Sequence, residues 1–196
     1  RFVPSPSRGG NAVKGQHCYT GPQDSQVARD MISCDPNGTL MIYITKLYNS
    51  PDGSRFNAFG RVMSGTVKKG MTVRVLFETF TENDDEEMTE ATVSALYMFN
   101  GRYRVELNKA CAGSWVLLEG IDDSILKTAT ITSTTNRDLH ILKPLSFNTK
   151  SVVKIAVEPL RPSDLPKMVE GLRKISKSYP LLTTKVEESG EHIVLG

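Results

Sequence analysis

The sequence predicts a mainly β chain: an antiparallel β-barrel followed by a smaller α+β part, an incomplete β-α-β-β unit. Three observations predict it. From Thr39 to Ser133, short β-branched or aromatic runs recur with turn dipeptides between most of them. No helical period interrupts those runs. Beyond residue 147 the pattern becomes one apolar strand, one amphipathic helix and a tight hairpin.

The runs TLMIYITKLY, RFNAFGRVMSG, MTVRVLFETF, ATVSALYMF, YRVEL, WVLLEG and KTATITS give about seven strands, and seven at this spacing suggest a barrel or sandwich. Turns are signalled at Pro51-Asp52-Gly53, Lys69-Gly70, Asn100-Gly101 and Ala112-Gly113. In MTVRVLFETF, Val73, Val75 and Phe77 share one face, as period-two geometry requires. In WVLLEG, Trp115, Leu117 and Glu119 share a face, and Trp115 is expected to be a buried barrel residue. Residues 1–38, rich in Pro, Gly, Ser and Asn, show no sustained period and read as an irregular linker.

Residues 134–146 read as a second linker. In 147–196, SVVKIAVE is a nearly continuous apolar strand. Ser163 or Asp164 can cap a helix, and Pro166 is tolerated in its first turn because early helical N–H groups lack partners. Leu165, Met168, Val169, Leu172 and Ile175 then fall on one helical face. LTTKVEE and EHIVL form a hairpin about Ser189-Gly190. This is three-quarters of a split β-α-β, a truncated ferredoxin-like domain lacking its second helix and fourth strand. The chain is therefore expected to continue in a longer protein.

Composition excludes several classes. Hydrophobic residues are 39% and charged residues 23%, a globular balance rather than a disordered one. No apolar run reaches the roughly 18–20 residues of a membrane span, so no membrane partner is expected. The net charge of +2 supplies no general attraction to nucleic acid. Charge is nonetheless uneven. Residues 82–90 carry six carboxylates and no base, and read as an exposed hairpin loop. From Lys143 to Lys185 there are nine Lys or Arg against Glu158, Asp164 and Glu170. On the helix, Lys167, Arg173, Lys174 and Lys177 project away from the apolar face, with Glu170 placed to pair with Lys174. These four are the candidate partner-docking residues, and a merely solubilising face is the alternative.

Cys18, Cys34 and Cys111 are odd in number and widely spaced, which suggests neither a disulfide framework nor a metal site and favours a reducing compartment. His17 beside Cys18 lacks a second pair at zinc spacing. No GxxxxGK[ST] loop cradles a phosphate. Asn136-Arg137-Asp138 bears only a faint similarity to a guanine-reading NKxD and reads as linker. Glu187, Glu188, Glu191 and His192 form the one dense titratable group and read as hairpin surface. No catalytic, cofactor-binding or metal residue is assigned, and none of this supports an enzyme.

FNAFGRVMSGTVKKG at 56–70 resembles the second-domain signature of the elongation-factor-2 class of translocases, GTPases whose second domain is the translation-factor β-barrel. FVPSP at 2–6 is similar to the segment leaving that family's GTPase domain, CDPNG at 34–38 to the lead into its barrel. DLPKMVEGLRKISKS at 164–178 and EESGEH at 187–192 resemble the start of its third domain. Tyr19-Thr20-Gly21, Val105-Glu106-Leu107-Asn108, AGSWVLLEGID with Trp115, KTATIT at 127–132, FNTKSVVKIAVEP at 147–159 and SYPLLTTKVEESGEH at 178–192 resemble the spliceosomal branch, the GTPase of the U5 small nuclear ribonucleoprotein. Thr39 and Cys111 depart from the family, each standing where Pro is usual, and the 82–90 loop is divergent.

The resemblance implies a non-catalytic middle region, residues 39–133 being the barrel and 147–196 a truncated third domain. It would transmit nucleotide-dependent change and dock within the U5 particle during pre-mRNA splicing, in the nucleus. The implied partners are its own GTPase domain, a large spliceosomal scaffold protein, U5 small nuclear RNA and, indirectly, a spliceosomal RNA helicase. GTP and magnesium are implied for the intact parent and not for these residues. Two alternatives stand beside this reading: the same region of the ribosomal elongation factor 2, and a free-standing β-barrel nucleic-acid-binding module. The last would need exposed aromatics for stacking; the aromatics, 7% of residues, are expected on strands that use them for core. Titrating the chain with a fluorescent GTP analogue is expected to show no magnesium-dependent binding; a micromolar affinity would contradict the assignment.

Overall fold

Within a computed structural model, residues 5–6, 17–81, 87–149 and 151–196 are described. Most of the FVPSP segment at 2–6 and the first five residues of the acidic run at 82–90 lie outside them. The chain divides into two units, 1–144 and 145–196.

The first unit is built from strands β1 (Met41–Asn49), β2 (Phe56–Ser64), β3 (Thr66–Lys68), β4 (Thr72–Phe77), β5 (Met88–Thr92), β6 (Ala95–Asn100), β7 (Tyr103–Glu106), β8 (Lys109–Cys111), β9 (Trp115–Glu119) and β10 (Ala129–Ser133). Eight of them form an antiparallel sheet in the order β5-β4-β10-β1-β2-β9-β6-β7, and β3 pairs with β8 separately. The two sides of the sheet are joined by the chain itself, since β5, at one end, runs on into β6, next to the last strand at the other end, with only Val93 and Ser94 between them.

Those two residues switch partners. Val93 gives its N–H to Met71 O (3.0 Å) and accepts from Gly70 N (2.8 Å), on the β4 side. Ser94 donates to Glu119 O (2.9 Å), on the β9 side. One extended run thus hydrogen-bonds first to β4, near one side of the sheet, and then to β9, near the other, which curls the sheet into a barrel. Residues from both ends, among them Val75, Val93, Leu96 and Leu118, share a single core with Ile42, Ile44, Val62, Val116 and Ile131. ATVSALYMF, read as one strand in the sequence, is two strands with this switch between them.

Gly120 makes the switch sterically possible. Its φ is +89°, and a Cβ there would lie 2.8 Å from both Thr92 O and Ser94 Oγ. Gly60 permits a second close approach, since its own Cβ would run into Tyr43 O. The pairing of β1 with β2 is irregular beside it, where Thr45 is skipped between Ile44 and Lys46.

The linkers flanking the barrel are more ordered than composition suggests. Residues 1–38 contain helix α1 (Gln26–Ser33), capped by Ser25, whose hydroxyl accepts from Ala28 N at 3.2 Å. Val27, Ala28 and Met31 are buried with Tyr19, Met41, Met63 and Leu142 in a second apolar cluster. Two turns are too few to show a period, and the helix ends on Cys34 in the left-handed region (φ 57°), where a stop signal would normally be Gly. Buried Asp30 accepts from Gln26 Nε2 (2.7 Å) and from the backbone of Thr39 (2.8 Å), a bond that proline at 39 would forfeit.

Residues 134–144 also pack on this unit. Leu142 bridges to Tyr19, Thr20 N donates to Ile141 O (3.0 Å), and Tyr43 gives its hydroxyl to Lys143 O (2.7 Å). Burial, with Cys18 nearby, pushes the Tyr43 phenol up to about 12.

The second unit holds β11 (Lys154–Val157), a 3-10 turn at Pro162–Asp164, helix α2 (Leu165–Ser178), β12 (Thr183–Val186) and β13 (His192–Leu195). Its sheet order is β11-β13-β12, all antiparallel, the order of the first three strands of a ferredoxin-like sheet.

Gly120→Ala is expected to destabilise the barrel by about 1–3 kcal/mol more than Gly53→Ala. Gly53 has a similar φ of +69° in open space, so it carries the conformational cost alone. Urea unfolding of the two variants checks this, and equal costs would show that the close approach at Thr92 O is dispensable.

Candidate interaction surfaces

The predicted docking residues lie on helix α2. At about 100° per residue, Lys167, Arg173, Lys174 and Lys177 spread over roughly a third of its circumference, opposite the apolar residues. Lys167 and Arg173 are exposed, and no residue of the helix is fully buried. Leu165 and Ile175 remain 42% exposed, so the apolar face is less covered than the sequence predicts. Two of the cations already have local partners: Lys174 meets Glu170 at 3.0 Å and Lys167 meets Asp164 at 3.5 Å. Lys177 is half-buried and engaged within its surroundings. Arg173 has no carboxylate partner among the described residues.

The hairpin group reads as surface chemistry. Glu187 Oε1 receives Lys154 Nζ (2.8 Å) and Lys185 Nζ (3.1 Å), tying β11 to the end of β12. Lys154, and then Lys185, hold the Glu187 carboxyl below the ordinary glutamate range. Its support is therefore complete at neutral pH and fades as pH falls through that lowered value. Asn136, in the sequence of faint similarity to a guanine-reading motif, is committed to structure. Its amide donates to Thr132 Oγ1 (3.0 Å) and Asp138 O (3.1 Å) and accepts from Asp138 N (3.1 Å).

The barrel carries a surface that sequence reasoning misses. Trp115 is not buried: it is 46% exposed. Val116 and Leu118 face the core, so Trp115 and Leu117 share the outer face, where Leu117 is nevertheless buried. Alternation says which residues share a face and not which face turns inward. Trp115 stacks on Phe59, with ring centroids 5.2 Å apart and planes 12° from parallel. Phe59 continues to Tyr48 (5.6 Å) and Phe99 (6.0 Å), and none of the four belongs to the core. The Arg61 guanidinium, directly across the strand pair, lies 5.9 Å from the Trp115 ring. The expectation that aromatics serve the core fails for this group.

Beside this stack is a cleft of about 720 Å³ whose wall includes Phe59, Met98, Phe99, Leu107 and Trp115, with Lys109 its one charged residue among the described ones. Among the described residues, no group of three or more His, Cys, Asp or Glu is arranged to hold a metal.

A barrel closed by a partner-switching strand, with a β-α-β-β unit after it, defines the class: residues 56–132 match the family of elongation factor Tu domain 2. Over its whole length the chain is 53% identical to the 109 kDa U5 small nuclear ribonucleoprotein component GFL and to the 110 kDa component CLO, both of Arabidopsis thaliana. It is 46% identical, again throughout, to the pre-mRNA-splicing factor cwf10 of Schizosaccharomyces pombe. The chain belongs to this spliceosomal, elongation-factor-2-like family, and it spans 20% of the length of each of these relatives.

Because Trp115 is the single tryptophan, its emission reports this surface alone. The maximum is expected near that of solvated tryptophan. Trp115→Ala should cost about 1 kcal/mol, the worth of a stacked aromatic pair, rather than the roughly 3–5 kcal/mol of a core tryptophan. Thermal melting distinguishes the two.

Proposed function

We propose that these residues are the non-catalytic middle region of a longer spliceosomal GTPase. In this reading the barrel and the β-α-β-β unit transmit a nucleotide-dependent change and dock the protein within the U5 ribonucleoprotein during splicing in the nucleus. The observation that carries the proposal is similarity along the entire chain to U5 components and a splicing factor. The matched family is a barrel domain and the sequence holds no phosphate loop, which supports assigning GTP and magnesium to a GTPase domain outside these residues.

Partners follow from the same reading: the GTPase domain of the same protein, a large scaffold protein, U5 small nuclear RNA and, indirectly, the RNA helicase of the particle. Helix α2 is the proposed docking element. Arg173 is the strongest of its four cations, having no competing carboxylate among the described residues, whereas Lys167 and Lys174 must exchange Asp164 and Glu170 for a partner. The ribosomal alternative is disfavoured because the relatives named here are spliceosomal.

Reversing Lys167, Arg173 and Lys174 to Glu should change stability by no more than about 1 kcal/mol, since exposed charges contribute little. In the intact protein the same change should reduce co-purification of U5 RNA and scaffold, increasingly as salt rises. Unchanged recovery across the salt series would leave this helix face a solubilising role only.

A further inference from the structure

The aromatic cleft on the barrel lies on a different unit from helix α2 and is independent of the docking role proposed for it. We propose that this cleft binds an extended peptide segment of a protein partner, one carrying an apolar or aromatic side chain flanked by carboxylates.

Three features of the cleft specify that occupant. Its volume, about 720 Å³, is of the size that takes a large side chain and its neighbours. Pro36, Met98, Leu107 and Ala110 make much of the wall aliphatic or thioether, beside the aromatic side of Phe59, Phe99 and Trp115. Such a wall suits an apolar side chain. Asn37, Thr66 and Ser114 supply polar groups on the same lining that can bond a peptide backbone.

Charge gives the second feature. Lys109 lines the cleft and, among the described residues, no carboxylate does. Arg61, against Trp115, has a buried Nε with no hydrogen-bond partner among the described residues. Its guanidinium, 5.9 Å from the Trp115 ring, adds positive charge next to the cleft. Lys68 stands opposite Lys109 in the β3–β8 pair and adds to it.

The third feature is backbone. All three residues of β8, Lys109 to Cys111, line the cleft, and β8 pairs with β3 on one side only among the described residues. A strand with a free edge can take an added strand, so an extended peptide gains main-chain hydrogen bonds while alternate side chains enter the pocket. Exposed Met98, 42% accessible, supplies an adaptable contact at the same site.

A phage-displayed library of random dodecapeptides, selected on the 196-residue chain, tests this. The expected enrichment is for Leu, Phe or Trp flanked by Asp or Glu. Synthetic versions of the enriched peptides should shift Trp115 emission and bind Lys109→Glu about tenfold more weakly. Lys109 is an exposed side chain, so that variant should melt as the parent does; Trp115→Ser, checked by melting, is the second variant. Enrichment of neutral or basic sequences, no enrichment at all, or equal binding to Lys109→Glu would overturn the proposal. A fluorescein-labelled uridine dodecamer that binds with Trp115 dependence would overturn it in favour of RNA.

Discussion

The first unit depends on one exchange of hydrogen bonds. Between Met88 and Asn100 the chain leaves β4 and joins β9, and the change is completed across a single peptide link, from Val93 to Ser94. Without it the eight strands would be an open sheet with two exposed ends, each a row of unpaired backbone groups. With it, the apolar faces of β1, β2, β4, β6, β9 and β10 converge on one core. The wall at that point has no room for a side chain on Gly120, so barrel closure is written into a glycine more than into any hydrophobic contact.

The outer face of the same sheet gathers an aromatic group. The barrel is filled mostly by Ile, Val, Leu and Ala, together with Phe56, and its interior alternates with an exterior face along each strand. Tyr48, Phe59, Trp115 and Phe99 fall on that exterior from β1, β2, β9 and β6, four strands that lie side by side in the sheet although they are far apart in sequence. They are scattered in sequence over sixty-odd positions, from 48 to 115, so no local pattern links them. Leu117, directly across the strand pair from Phe59, is fully buried on that outer face, so β9 has three consecutive hidden residues.

Much of the architecture is legible in the residues. The alternation in 72–77 and the turns at Lys69-Gly70 and Asn100-Gly101 predict strands that the structure contains, and the helix from Leu165 to Ser178 carries the Glu170–Lys174 pair its spacing predicts. What cannot be read is long-range. The inward expectation for Trp115 fails because alternation fixes parity but not direction. Helix α1 escapes because its signals are weak: two turns, and Cys34 where a glycine would mark the end. The cationic face of α2 is visible as spacing, whereas the prior engagement of Lys167 and Lys177 depends on neighbours that the helical wheel omits.

The stitch between the two leads of the barrel has a kinetic consequence. Thr20 and Ile141 are bonded in both directions, side chain and backbone, although 121 positions separate them. Ordering so long a loop is entropically costly unless the residues within it are already folded. The stitch therefore forms after the barrel and is among the first links to break when the unit opens. The two leads are not equal partners in it: the residues that follow β10 keep their own ties to the barrel, from Leu142 N to Thr130 Oγ1 (2.7 Å) and from the Tyr43 hydroxyl to Lys143 O, so loosening the residues that precede α1 leaves them docked.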